Sequence, residues 1–339
     1  MPKFTVGVIG LGVGESHIEG YESHPNCSVT KLCDINKDAL NAVGKRHPEK
    51  LLTQDPDNVI YDPDIDIVSI ASYDDCHKNQ VIASLKNGKH VFVEKPLCLS
   101  NEELHSIVCE MRENRHLKVS SNLILRKCPR FIDLRKRIRS GQLGQVFHME
   151  SSYDYGRLNK LTNGWRGQIP NYSVTLGGGI HLIDLMHWVS GEKFIEVFAL
   201  GNTLPTRGSV FSGNSLTSAL MKSASGCTIS LTSNFGSITP HHHKLCIYGT
   251  KATFEQSHTN ASYFFSRDPN VEPKKVASPY PGAHKGDLLY DFVDSIIGKK
   301  QPLVKAQEVL DAMSVALAID KSIISGTPQK ILYQNLNDL

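Results

Sequence analysis

The sequence predicts an α/β fold in which a doubly wound parallel sheet is followed by an α+β domain with a large, open, mainly antiparallel sheet. From residue 4 to about 121, short β-type apolar runs alternate with helical segments, and a glycine-rich turn follows the first run. From about residue 145 the pattern changes to β-type runs separated by polar turns. A chain of 339 residues has room for two domains, which we predict at 1–121 and 122–339.

The first strand leads into the glycine-rich turn. Phe4–Ile9 is followed by Gly10-Leu11-Gly12-Val13-Gly14 and then by a helical segment from Glu15. A strand, tight turn and helix in this order bring backbone N–H groups close to a dinucleotide pyrophosphate. A regular G-x-G-x-x-G would place its third glycine at position 15, so Gly14 is expected to take that role in a shorter turn.

An acidic residue follows the second predicted strand, Ser28–Cys33. Asp34 lies 24 residues after Gly10, the spacing typical of the acid that binds the adenosine ribose hydroxyls. The alternative is an N-cap for the helix that starts near Asn36. A carboxylate ~4 Å from a 2′-phosphate would cost ~4 kcal/mol at an effective dielectric of 20, which favours NAD. NADP is the alternative, because Lys37 lies nearby.

Further elements complete both halves. The other strands of the first half are predicted at Asp66–Ala71, His90–Val93 and Leu117–Ser120. Ligands bind at the carboxyl ends of parallel strands, where Gly10–Gly14, Ser72–Tyr73 and Glu94–Lys95 all lie. The β-type runs of the second half are Val146–Tyr153, Phe194–Leu200, Ser215–Met221, Cys227–Thr232, Lys244–Tyr248 and Ala261–Phe265. Its helices are predicted at Ile180–Ser190, Leu288–Ile297 and Ala306–Ile324.

Two segments carry residues suited to proton transfer. Lys95 ends a buried strand, where a positive nicotinamide ring would lower its pKa. The alternative is that Lys95 is a surface lysine paired with Glu94. His181 begins a helix after three glycines, and Asp184 shares its helix face, as general acid–base chemistry requires. A histidine that satisfies a buried hydrogen bond is the alternative. Trp165-Arg166 lies in a polar loop and could stack on a ligand or rim a cleft.

Composition and charge exclude several classes of protein. The net charge of +3 gives no basis for nucleic-acid binding, and no apolar run approaches the ~20 residues of a membrane span. Eight cysteines without C-x-x-C spacing indicate free thiols. The strand that follows Met-Pro-Lys leaves no room for a signal peptide. We therefore expect a cytoplasmic protein. In His241-His242-His243, neighbours on a strand point to opposite faces, so no metal site is expected.

These motifs resemble the glucose–fructose oxidoreductase / inositol dehydrogenase family of NAD(P)-dependent oxidoreductases over essentially the whole chain. The residues that carry the resemblance are Val8–Gly12, Gly88–Pro96, Ser140–Gly144, Gly179–Asp184 and Tyr248–Lys251. The Glu-Lys-Pro segment, followed about 85 residues later by the histidine helix, is the specific part. The resemblance implies a Rossmann domain and an open-sheet domain that carries substrate and often the oligomer contact. A homo-oligomer, dimer or tetramer, is therefore expected.

The resemblance also implies roles for single residues. Lys95 would contact cofactor and substrate, and His181 would accept or donate the proton. The predicted substrate contacts are Asp184, Arg126 and Tyr155. The predicted cofactor contacts are Gly10, Gly12, Val13, Gly14, Asp34, Ser72, Tyr73, His77, Glu94, Lys95, Trp165 and Arg166. Many members of the family carry an aspartate four residues before the histidine, where this chain has Gly177.

The sequence thus predicts an NAD(P)-dependent dehydrogenase or reductase that acts on a CH–OH group of a sugar or polyol. One alternative is a non-catalytic sensor that binds dinucleotide or sugar, which Gly177 favours and the intact Lys95 and His181 oppose. Another is a nucleotide-sugar substrate, whose diphosphate Arg126, Arg157 and Arg166 would receive.

Overall fold

The computed structural model describes residues 4–170 and 172–337, which pack into two compact units. The first unit comprises the described residues up to Lys127, then Ala283–Leu310, and those from Gln334 onward. The second comprises Cys128–Gly282 and Asp311–Tyr333. The division into domains 1–121 and 122–339 stays a proposal. In the structure, two C-terminal segments, Ala283–Leu310 and the described residues from Gln334 onward, pack with the first unit and not with the second.

A six-stranded parallel sheet forms the centre of the first unit, in the order β3-β2-β1-β4-β5-β6. Its strands are β1 Phe4–Ile9, β2 Cys27–Cys33, β3 Leu51–Thr53, β4 Ile67–Ile70, β5 His90–Val93 and β6 Val119–Ser121. The parallel sheet confirms the predicted fold class for this half. The sequence did not predict β3, because this short edge strand exposes both of its leucines and shows no buried run.

A nine-stranded sheet forms the second unit, in the order β14-β13-β12-β11-β7-β10-β9-β8-β15. Its strands are β7 Val146–Asp154, β8 Phe194–Asn202, β9 Leu216–Ser223, β10 Thr228–Asn234, β11 His242–Gly249, β12 Thr253–Gln256, β13 Ala261–Phe264, β14 Lys274–Lys275 and β15 Gln329–Lys330. Only the β7–β10 pairing among these neighbours is parallel, so the predicted large, mainly antiparallel sheet is confirmed.

Ten α-helices flank the two sheets within the described residues. They are α1 Glu15–Glu22, α2 Lys37–Arg46, α3 Asp57–Ile60, α4 His77–Lys86, α5 Asn101–Glu113, α6 Pro129–Arg139, α7 Asn159–Thr162, α8 Ile180–Ser190, α9 Asp287–Ile296 and α10 Ala306–Ser325. None of these helices has the length and apolarity needed to cross a membrane.

Helix α9 belongs to the first unit because it packs against α1 and the parallel sheet. A Cβ at Gly20 would lie 2.7 Å from the Gly286 carbonyl oxygen, so the two segments approach more closely than a side chain would allow. The rings of Phe92 and Phe292 meet edge to face at 5.5 Å. The sequence predicted this helix at Leu288–Ile297, but its partner α1 lies about 270 residues earlier in the chain.

Candidate active site

The glycine-rich turn has the shape that a bound pyrophosphate requires. Gly10 has a φ of +86°, and a Cβ there would lie 2.3 Å from the Ala71 carbonyl oxygen, so position 10 needs glycine. A Cβ at Gly14 would lie 2.1 Å from the Gly10 carbonyl oxygen. At Gly12, by contrast, no described atom lies within 4 Å of such a Cβ. The turn is therefore tight at both ends and open beside Gly12, just before the N-terminus of α1, where an anion fits.

Asp34 links this turn to the start of α2. Its Oδ2 accepts a hydrogen bond from the Leu11 N–H at 2.7 Å, and its Oδ1 accepts one from the Asn36 N–H at 2.8 Å. The N-cap of α2 is Asn36, whose side-chain oxygen accepts from the N–H groups of Asp38 and Ala39. Asp34 is thus not the helix cap, and its predicted role at the adenosine ribose stays a proposal.

His77 connects the loops that follow β4 and β5. Its ring is buried, with Nδ1 2.6 Å from the Pro96 carbonyl oxygen and Nε2 3.2 Å from the Ser72 carbonyl oxygen. The Ser72 hydroxyl donates to Gln80 at 2.7 Å, and Tyr73 is exposed on the same loop. His77 therefore holds the backbone of two predicted cofactor loops together, while direct contacts of His77, Ser72 and Tyr73 with the cofactor stay predictions.

Glu94, next to Lys95 at the carboxyl end of β5, lies in a buried hydrogen-bond network. His17 Nε2 is 3.3 Å from Glu94 Oε1, which also accepts from the Asn122 amide at 2.7 Å. His17 Nδ1 lies 2.9 Å from the Ser69 hydroxyl. Burial alone would raise the pKa of Glu94, but the His17 hydrogen bond and charge, the Lys95 charge and the Asn122 hydrogen bond lower it to about 2. Glu94 is therefore an anion beside Lys95 at neutral pH.

In the second unit, the three glycines before α8 allow close packing in three directions. A Cβ at Gly177 would lie 1.9 Å from Tyr172 Oη, and one at Gly178 would lie 2.4 Å from Tyr153 Cε1. A Cβ at Gly179 would lie 2.3 Å from Ser233 Oγ. Residues Thr175–Gly179 form a π-helical turn that runs directly into α8, a feature often found at functional sites.

His181 lies on the first turn of α8 and is half-buried. Its ring stacks on Tyr153, with centroids 6.1 Å apart and planes 18° apart, and it meets the ring of His243 edge-on at 6.0 Å. Tyr155 stacks on the same Tyr153 at 5.8 Å. Burial lowers the pKa of His243 well below its usual value, so this neighbour is neutral. Asp184, one helical turn after His181, is only 1% exposed.

The arginines predicted near ligands have different surroundings. The Arg166 guanidinium stacks on Trp165 at 4.2 Å, and its Nε donates to Tyr172 Oη at 3.1 Å. Arg157 lies over the ring of Tyr155 at 5.4 Å. Arg126 is 1% exposed, and its Nη1 contacts Glu308 at 2.7 Å and the Leu303 carbonyl oxygen at 2.9 Å. Glu308 compensates the charge of Arg126 inside the first unit, a pairing that the sequence did not reveal, and the predicted substrate contact of Arg126 stays a prediction.

The histidine run has ring contacts rather than a ligand set. His241 and His243 have ring centroids 4.8 Å apart, and His242 packs against His258 at 4.2 Å. Within residues 4–170 and 172–337, no three His, Cys, Asp or Glu side chains are grouped as a metal site would require.

A hydrogen bond to an acid on helix α10 holds the segment before the π-helical turn. Ser173 Oγ donates to Asp320 Oδ1 at 2.8 Å and accepts from the N–H groups of Thr175 and Leu176. Burial raises the pKa of Asp320 to about 7, against the opposing effect of the Ser173 hydrogen bond. The acid is therefore partly protonated at neutral pH.

Stability should consequently fall as pH rises from about 4 to about 7. The pKa of Asp320 is raised from the ordinary ~3.9, so its contribution is complete below about pH 4 and is lost as pH rises through 7. A shift of three pKa units would give roughly 4 kcal/mol for complete burial; Asp320 keeps partial access to water, so we expect about 1–3 kcal/mol. Asp320→Asn should flatten the pH dependence of urea unfolding between pH 4 and 8, whereas the exposed control Asp268→Asn should not. Equal slopes for Asp320→Asn and the wild type would contradict this prediction.

Family comparisons agree with this geometry. Residues 4–122 match the model of the GFO/IDH/MocA oxidoreductase family with the NAD-binding Rossmann fold, and residues 131–255 match the model of the C-terminal domain of the same family. Together the two matches cover more than two thirds of the chain. The protein belongs to the GFO/IDH/MocA oxidoreductase family. The resemblance predicted from the sequence is confirmed, and the first unit is an NAD-binding Rossmann domain.

Relatives of this family member share low sequence identity with it. The uncharacterized oxidoreductase YrbE of Bacillus subtilis is 22% identical over 97% of both chains. Myo-inositol 2-dehydrogenase of Thermotoga maritima is 27% identical over 59% of this chain and 58% of its own length. The alignments to inositol dehydrogenases thus span little more than half of those proteins. Scyllo-inositol dehydrogenase of Lactobacillus casei, solved with NAD(H) and scyllo-inositol, has the same fold, with a TM-score of 0.79, 19% identity and coverage of 97% and 99% of the two chains.

Proposed function

We propose that this family member is an NAD(P)-dependent dehydrogenase or reductase that acts on a CH–OH group of a sugar or polyol. The observation that carries the proposal is the position of Lys95. It follows the anionic Glu94 at the carboxyl end of β5, on the same edge of the parallel sheet as the open turn at Gly12. The cofactor, when bound, supplies the hydride acceptor or donor.

The chain's own residues would orient the substrate and move its proton. We assign proton transfer to His181, whose ring plane is held by stacking on Tyr153 and whose neighbour His243 is neutral. Lys95 would bind the substrate oxygen and stabilise negative charge on it. Tyr155 and Asp184 stay proposed substrate contacts, and Trp165 with Arg166 stays a proposed contact near the nicotinamide.

The substrate class rests on the relatives. Inositol dehydrogenases recur among them, and the Lactobacillus casei structure holds an inositol together with NAD(H). NAD is the proposed cofactor, because the Asp34 carboxylate is fixed between the Leu11 and Asn36 N–H groups, where it would repel a 2′-phosphate. The eight cysteines all lie within the described residues and none is in a disulfide, which supports the proposed cytoplasmic location.

We also propose that the protein is a dimer or tetramer. Phe198, Leu200 and Leu220 are exposed on neighbouring strands β8 and β9 of the nine-stranded sheet, and adjacent exposed apolar side chains favour association. Light scattering should give a multiple of the 37.5 kDa chain mass, and Leu200→Asp with Leu220→Asp should reduce that mass. A monomeric wild type would contradict the proposal.

The test is nicotinamide absorbance with NAD or NADP across a panel of inositols, aldoses, anhydrosugars and nucleotide sugars. Calorimetry with each dinucleotide establishes cofactor binding independently, and Lys95→Ala is the negative control. Turnover that requires Lys95 would support the proposal and identify the substrate class. Tight cofactor binding with no turnover of any panel compound would instead favour the sensor hypothesis.

A further inference from the structure

Tyr172 occupies the space above Gly177. Its side chain is 3% exposed, and a Cβ at position 177 would lie 1.9 Å from its hydroxyl oxygen and 2.7 Å from its Cζ. Real Cβ atoms do not approach other atoms this closely. Any side chain at 177 would therefore displace the tyrosine, and glycine at 177 and tyrosine at 172 depend on each other. The tyrosine hydroxyl lies where a side chain from position 177 would begin.

This position belongs to the same face of the helical segment as His181. Residues 177 and 181 are four apart, in a π-helical turn that continues into α8 without a break. Side chains at this spacing point to one side. The Tyr172 hydroxyl therefore lies on the face from which His181 projects, although it comes from a segment outside the helix.

Contacts with Arg166 and Phe211 hold the tyrosine in place. Arg166 Nε donates to Tyr172 Oη at 3.1 Å, and the Arg166 guanidinium is itself stacked on Trp165 at 4.2 Å. The ring of Phe211 meets that of Tyr172 edge to face at 6.3 Å. Because Oη accepts the Arg166 hydrogen bond, the phenolic proton is directed to a different acceptor. A buried hydroxyl held by an arginine is a pre-organised hydrogen-bond donor.

We propose that Tyr172 is a further catalytic residue, whose hydroxyl donates a hydrogen bond to the substrate oxygen that exchanges its proton with His181. The inference rests on the proposed function and goes beyond it, because it supplies the group that the glycine at 177 lacks. During oxidation, the substrate O–H bond breaks and its proton moves to the His181 ring. Tyr172 keeps its own proton throughout and stabilises the charge that develops on the substrate oxygen.

The direct test is Tyr172→Phe, which removes only the hydroxyl. We expect kcat with the best panel substrate to fall by about 10–100-fold, the order typical for loss of one oxyanion donor, with KM changed by less than about threefold. The acidic limb of the kcat profile, which reports the enzyme–substrate complex, should also move, because His181 loses its hydrogen-bonded neighbour on the substrate oxygen. Loss of the Arg166 hydrogen bond should lower the thermal unfolding midpoint by only a few degrees. The shift of the pH profile, which a structural role would not produce, separates the two roles. Tyr61→Phe, at an exposed tyrosine of the first unit, is the matched control.

A second pair of variants tests whether a carboxylate at position 177 can replace the tyrosine hydroxyl at position 172. Tyr172→Ala should lower kcat at least as much as Tyr172→Phe. Adding Gly177→Asp to Tyr172→Ala should restore kcat at least about fivefold, because the carboxylate then has room to act on the same oxygen. If the wild-type protein turns over a substrate and Tyr172→Phe has the same kcat and pH profile, the inference is overturned and the proposed function stands. Absence of wild-type turnover across the panel would overturn the proposed function and this inference with it.

Discussion

Lys95→Ala should lower turnover by about 10²–10⁴ without unfolding the protein. Lys95 is half-buried at the end of β5, where its charge helps to lower the pKa of Glu94. Its loss removes the cation that would bind the substrate oxygen, whereas the strand and its hydrogen bonds remain. The expected result is a large fall in kcat/KM, with an unfolding free energy within about 1 kcal/mol of the wild type.

Lys95→Arg distinguishes two functions of the lysine. Arginine keeps the positive charge but does not release a proton near neutral pH. If Lys95 provides charge alone, Lys95→Arg should retain more turnover than Lys95→Ala. If Lys95 also moves a proton, both variants should be equally impaired. Near-normal turnover in Lys95→Ala would contradict the assignment altogether.

His181→Ala should cause a loss of the same order, because the proposed base would be absent. His187→Gln is the matched control, since His187 lies on the same helix α8 but packs against Phe194 and Tyr333. If His181→Ala and His187→Gln had equal turnover, His181 would be no more than a structural histidine, the alternative that the sequence left open.

The elements that sequence predicted well are those whose signals are local. Strand β5 and helix α8 have the predicted bounds, because a continuous apolar run and a helical stripe between glycines are each contained in a few residues. Strands β12, β14 and β15 were missed. They have only two to four residues, too few for alternation to appear, and they pair with strands that are distant in sequence or across a turn.

The contacts around the candidate residues depend on parts of the chain that are far apart. The hydrogen bond between Glu94 and Asn122 joins residues 28 positions apart, and the one between His17 and Glu94 joins residues 77 positions apart. Arg126 illustrates the same limit, because its partner Glu308 is 182 positions away. Tyr172 is a different case: it is close to Gly177 in sequence, but its contact depends on the π-helical turn, which has no recognised sequence signal. The three glycines indicated a close approach without identifying what approaches.

The largest expected loss of stability comes from His17, which is fully buried beside Glu94. His17→Leu keeps a side chain of similar size but leaves the largely buried Glu94 carboxylate with one partner fewer. Removing one member of a buried ion pair typically lowers the free energy of unfolding by about 3–5 kcal/mol. Because Glu94 keeps the Asn122 hydrogen bond and is 13% exposed, we expect a loss of about 2–3 kcal/mol at pH 7. Urea unfolding measures this loss, and His105→Leu, at an exposed histidine of α5, is the control.

The pH dependence of the same variant provides the decisive comparison. The pKa of Glu94 is lowered to about 2, so the stability it contributes is present above about pH 4.5 and is lost as pH falls towards 2. His17→Leu should raise that pKa, so the part of the stability lost between pH 4.5 and 2 should shrink. In a double-mutant cycle, His17→Leu and Glu94→Gln should cost less together than the sum of their separate effects, by about 1–2 kcal/mol. Strictly additive losses would show that the two side chains do not interact, and the network beside Lys95 would then have to depend on Asn122 alone.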